Sequence, residues 1–135
     1  MPLLNWVYVQ LYALAEWGTP GNASPEEAPK LAAPMAALLL SIVILLHAIA
    51  AFFLGFAMIF HRDIPSAFGD EWVIYASWAL VFLVCFVFYN ARRTKLLLSR
   101  YGHVPKIWGR TVGLLLILWS GVLPGICIGL ASRAR

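Results

Sequence analysis

Charge is what this sequence has least of: 12% of its 135 residues are Asp, Glu, Lys or Arg, against 62% hydrophobic. Water-soluble domains carry about a quarter charged residues, so an ordinary soluble fold is excluded. Acid is scarcer still. The six carboxylates (Glu16, Glu26, Glu27, Asp63, Asp70, Glu71) all precede residue 72, and none lies inside a long apolar run. Neither a paired acid–base site nor a proton-carrying carboxylate chain across a membrane can be drawn from that set. The two cysteines, Cys85 and Cys127, sit inside apolar runs with no CxxC or CxxCH around them, which removes the usual metal and covalent haem patterns. GxSxG, HExxH and P-loop motifs are missing as well. Alternation of apolar and polar residues is absent, which argues against a membrane β-barrel.

What the sequence does contain is three apolar runs, 31–60, 72–89 and 107–131. About 20 residues cross a hydrocarbon core, and backbone in lipid must satisfy its own hydrogen bonds. The expected fold is an all-α membrane protein with three transmembrane helices. Residues 2–17 form a shorter apolar stretch interrupted by Asn5, Gln10 and Glu16, without the basic start or small-residue cleavage site of a signal peptide. Leu4, Val7, Leu11 and Leu14 recur at helical spacing, and Trp6, Tyr8, Tyr12 and Trp17 suit the headgroup level. This predicts a short interfacial helix that lies on the membrane or on a partner. Together with the Pro- and Gly-rich linker after it, it makes residues 1–30 one unit and the three-helix domain, 31–135, the other. Asn22 opens a glycosylation sequon, which Pro25 follows.

The last run carries a glycine at Gly109, Gly113, Gly121, Gly125 and Gly129, with Ile117 interrupting the series. Residues four apart are neighbours on a helix, so the pattern predicts a ridge that lets another backbone approach closely. In the first run, His47, Ala51 and Gly55 form a similar row. The second run is bulky and aromatic, a surface for lipid or a partner.

Residues 72–135 contain eight basic residues and no acid. Arg92, Arg93, Lys95, Arg100, Lys106 and Arg110 cluster between the second and third runs. They predict a cytoplasmic or matrix-side loop by the positive-inside rule, with the N-terminus on the same side, and a contact with anionic phospholipids. No nucleic-acid motif surrounds them. The second helix is expected to continue out of the membrane to Tyr101, with Gly102 capping it and Pro105 stopping it.

His47 is the one ionisable residue in mid-run. A neutral imidazole there can ligate haem b or hydrogen-bond across helices to Ser120 or Ser77 at similar depth. A haem would need its second axial ligand from another chain, because His61 lies about 21 Å further along the same helix. The expectation is therefore a structural His47 and no resident cofactor other than bound phospholipid, with a haem- or quinone-site anchor as the alternative. The chain shares its size and three-span plan with small anchor subunits of respiratory enzymes, a likeness of architecture alone. The functional expectation is a non-catalytic accessory or assembly subunit of a hetero-oligomeric complex. It would sit in an energy-transducing membrane, either the bacterial plasma membrane or the mitochondrial inner membrane. A small homo-oligomeric channel or transporter is the other alternative.

Overall fold

The computed structural model describes residues 2–19, 27–60, 71–103 and 105–133. Most of the linker and the loop before the second long run fall outside these, and with them Asn22, His61, Asp63 and Asp70. The described residues form five helices: α1 (Pro2–Gly18), α2 (Ala28–Phe60), α3 (Glu71–Phe88), α4 (Ala91–Tyr101) and α5 (Lys106–Arg133). Two stretches are long and apolar enough to cross a membrane, Lys30–Phe52 in α2 and Lys106–Cys127 in α5. Tyr75–Phe88 with Ala91–Tyr101 makes a third if that pair, bent by 72°, is one broken span. The chain is an all-α protein built to be integral to a membrane.

The bend is the first departure from expectation. The helix does not run on to Tyr101 but stops at Phe88 and restarts at Ala91. Asn90 takes an extended backbone (φ −64°, ψ 168°), and its side-chain oxygen accepts a hydrogen bond from the Arg93 amide at 3.0 Å. That is an N-cap, and it satisfies a donor that a new helix would otherwise leave orphaned. At the other end the Gly102 amide donates to the Leu98 carbonyl at 2.7 Å. A Cβ at Gly102 would collide with that same carbonyl, so a glycine closes α4 as expected.

A second departure concerns α1. Rather than resting by one face on a surface, it is packed between α2 and α5 and touches α4. Tyr8, Val9, Gln10, Leu11, Tyr12 and Ala15 are all buried. All of these but Gln10 share one core cluster with Ala32, Ala33, Ala36, Ala37, Leu40 and Val43 of α2 and Leu97 of α4. The alanines of α2 keep its backbone close to the bulkier side of α1. Among the helices, α4 has the cleaner amphipathic pattern. Thr94 and Leu97 are buried, while Arg92, Lys95, Ser99 and Arg100 face outward.

Pairings fix the direction of α1. Its Glu16 meets Lys106 at 3.2 Å, Ala13 and Gln10 lie against Gly109, and Gln10 and Leu14 lie against Gly113. Residue numbers fall on one helix as they rise on the other, so α1 and the opening of α5 are antiparallel. Asn5 and Tyr8 meet Tyr89 and Thr94 instead, at the start of α4.

Candidate docking face and headgroup cluster

The five glycines of α5 do not form one ridge. Each step of four residues turns the helix by about 40° beyond a full turn, so Gly129 points about 200° away from Gly109. Gly109 and Gly113 are buried against α1. A Cβ at Gly109 would come within 2.8 Å of the Ala13 Cβ, and one at Gly113 within 3.0 Å of the Gln10 carbonyl oxygen. At Gly121, Gly125 and Gly129 a Cβ would meet nothing within 4 Å, and all three positions are exposed. Inside the protein, the packing line of α5 is instead Gly109, Gly113, Ser120 and Cys127, its buried residues. Steps of seven lose only about 20° each, so Gly113, Ser120 and Cys127 stay in register. Ala51 is likewise exposed, and a Cβ at Gly55 would meet nothing within 4 Å.

Large side chains flank the outer glycines. Leu114, Leu118, Trp119, Val122, Ile126 and Leu130 are all exposed on α5. Helix α3 presents a similar surface through Tyr75, Leu80, Leu83, Val84, Phe86 and Val87. Trp78, Phe82 and Phe86 form a row of rings at successive steps of four along α3, with 6.4 and 6.0 Å between successive ring centres.

His47 and Ser120 do not meet as the sequence suggested. The His47 Nδ1–H donates to the Val43 carbonyl of its own helix at 2.8 Å. The Ser120 hydroxyl donates to the Leu116 carbonyl, also of its own helix, at 2.6 Å. Each polar group is satisfied one turn back, a route that helices offer to short donors and that makes a cross-helix partner unnecessary. A proton on Nδ1 leaves Nε2 of His47 as the nitrogen with a lone pair. Ser77 is exposed on α3. Among the described residues, no three His, Cys, Asp or Glu side chains gather as a metal site would require.

The six basic residues all lie on α4 or at the start of α5, but their surroundings differ. Arg92 and Lys95 are exposed on α4. Arg93 lies 3.6 Å from the centre of the Phe88 ring and 5.8 Å from that of Tyr89, and so ties α4 back to the end of α3 by cation–π attraction. Arg100 stands 5.8 Å from the Tyr101 ring, and Arg110 the same distance from Trp17 of α1. Lys106 pairs with Glu16.

Beneath Arg93 lies the polar knot that sequence reasoning missed. Tyr8 stacks on Tyr89 with ring centres 4.1 Å apart and planes 12° from parallel. The Tyr8 hydroxyl shares a 2.9 Å hydrogen bond with the Thr94 hydroxyl, and the Tyr89 hydroxyl donates to the Asn5 side-chain oxygen at 3.2 Å. Asn5 thus serves as an acceptor for another helix rather than as a polar break in α1. Nearer Glu16, burial and that carboxylate push the Tyr12 phenol up to about 12, so it stays neutral at any physiological pH.

Comparison with family models, with curated proteins and with solved structures finds no match to this chain.

Proposed function

We propose that this protein is a non-catalytic accessory or assembly subunit of a larger complex in an energy-transducing membrane. The observation that carries the reading is the outward stripe at Gly121 and Gly125. With Gly109 and Gly113 occupied by α1, Gly121 and Gly125 are left for a helix from another subunit. Helix association in lipid depends on such close approach, because aliphatic side chains gain little by leaving one apolar medium for another. The exposed aromatic and aliphatic surface of α3 gives the complex a second contact. Helices α2 and α5 make two crossings and α3 a third, which ends at the bend, so that α4 lies with its basic face in the headgroup layer on the cytoplasmic or matrix side. Arg92, Lys95 and Arg100 there would hold anionic phospholipid.

The test is native mass spectrometry of the protein released from its own membrane in mild detergent. Other subunits should accompany the wild-type chain. Gly121→Leu combined with Gly125→Leu should release it as a folded single chain, since neither position touches its own fold. Retention of the complex by that double variant would remove the stripe from the docking role.

A second reading rests on the free Nε2 of His47, which could ligate a haem whose other ligand comes from a partner subunit. Haem absorption in the same preparation, lost in His47→Ala, would favour it. A homo-oligomer that carries flux in liposomes would favour a channel instead.

A further inference from the structure

A cavity of about 300 Å³ opens where α1, α4 and the first turn of α5 converge. Leu98 and Tyr101 of α4 give it an apolar side, and Gln10, Tyr12 and Glu16 of α1 face Lys106 across it. We infer that this cavity holds one phospholipid head group of the amine–phosphate type, with Lys106 on the phosphate, Glu16 on the ammonium and Gln10 on an ester carbonyl.

Three observations carry this. First, the charges at the mouth are a complementary pair rather than a basic patch. Lys106 and Glu16 lie 3.2 Å apart, with side chains 69% and 30% exposed. An ion pair so open to solvent contributes about 0–1 kcal/mol, so exchanging its partners for those of a zwitterion costs little. Second, Gln10 is 2% exposed, yet its Nε2 has no hydrogen-bond acceptor. A buried amide donor without a partner is costly, and Gln10 lines this cavity, so an ester carbonyl seated there can satisfy the donor once the side chain shifts rotamer. Gln10 lies six residues below Glu16, about 9 Å along α1. A phospholipid has the same order: charges at the end, ester carbonyls beyond the glycerol. Third, the rim is suited to lipid. Ile107 and Trp108, next to Lys106, are 74% and 65% exposed at the start of an apolar span, where acyl chains can run along α5.

This site differs in chemistry from the outer face of α4, where cations without a carboxylate would take any anionic head group. The ammonium must also donate hydrogen bonds to Glu16, which a trimethylated head group cannot do.

The experiment uses the full chain, stripped of lipid in detergent and examined by native mass spectrometry. Phosphatidylethanolamine, phosphatidylcholine and phosphatidylglycerol with identical acyl chains are added separately. One phosphatidylethanolamine per chain should be retained about tenfold more tightly than either of the others, the usual effect of one charge-assisted hydrogen bond. Glu16→Gln, an isosteric change at a partly exposed position, should abolish that preference while leaving helical content unchanged. Gln10→Met should weaken all three lipids alike. Equal retention of phosphatidylglycerol by the wild type, a preference that survives Glu16→Gln, or no retained lipid at all would each overturn the assignment. None of these outcomes depends on whether partner subunits exist.

Discussion

The two halves of α5 use the same residue at the same spacing for opposite ends. In the first half, Gly109 and Gly113 are filled by α1, whose Ala13 Cβ and Gln10 carbonyl stand where a side chain would begin. In the second half, a Cβ at Gly121 or Gly125 would meet nothing within 4 Å among the described residues. Nothing in the local sequence separates the pairs. The helix simply turns about 40° with each step of four, which carries the later glycines off the face that α1 covers. A small-residue series in a membrane helix therefore identifies no single partner. Its first members can close the fold while its last ones remain for a neighbour.

Substitutions test this contrast most sharply where contact is closest. Gly113→Leu should have the largest effect, because the obstacle is backbone that cannot rotate away. Overpacking of this kind should cost ~3 kcal/mol or more, read as a lower midpoint when the protein is unfolded by a harsh detergent in mixed micelles. Gly109→Ala is milder. A Cβ there would stand 2.8 Å from the Ala13 Cβ, which retreats only if the α1 backbone moves with it, and alanine's better helix propensity offsets part of that cost, leaving a net loss of ~1–2 kcal/mol by the same measurement. Smallest, and opposite in sign, is Gly125→Ala, which meets nothing and should raise the midpoint by ~0.5–1 kcal/mol through propensity alone. If Gly125→Ala destabilised the isolated chain as Gly109→Ala does, the two halves would not differ as described.

Much of this architecture could be read from residue order. The apolar runs located α2, α3 and α5 to within a few residues, because length and hydropathy are direct consequences of bilayer thickness. The break at Asn90 was harder to see. Apolar residues before it and an amphipathic pattern after it each satisfy a helix, so the one cap between them looked like an interruption that the helix could absorb. Asn5, Gln10 and Glu16, counted as polarity, argue against α1 as a spanning helix and say nothing of what it packs on. Their places, Gln10 against the glycines of α5 and Asn5 on the Tyr89 hydroxyl, are tertiary facts that no local window contains. The internal packing line of α5 was legible in principle, since Gly113, Ser120 and Cys127 stand at intervals of seven. Counting by fours drew attention to the glycines and away from that register. His47 and Ser120 were placed at similar depth, but depth does not say whether a donor turns to a neighbour or to its own preceding turn.

The contacts that seat α1 have a consequence for the order in which the molecule is made. Tyr8 waits for Thr94, 86 positions later, and Glu16 waits for Lys106, 90 positions later. At ~5–20 residues per second of synthesis, ~5–20 seconds pass before those partners exist. Until then α1 has only α2 to lean on, with its tyrosines, Gln10 and Asn5 unmatched. Of the surfaces that α1 packs on, the groove at Gly109 and Gly113 is the last to emerge, and α1 is the segment that closes it. Of the five described helices, α1 is made before the others and is the last to find its place.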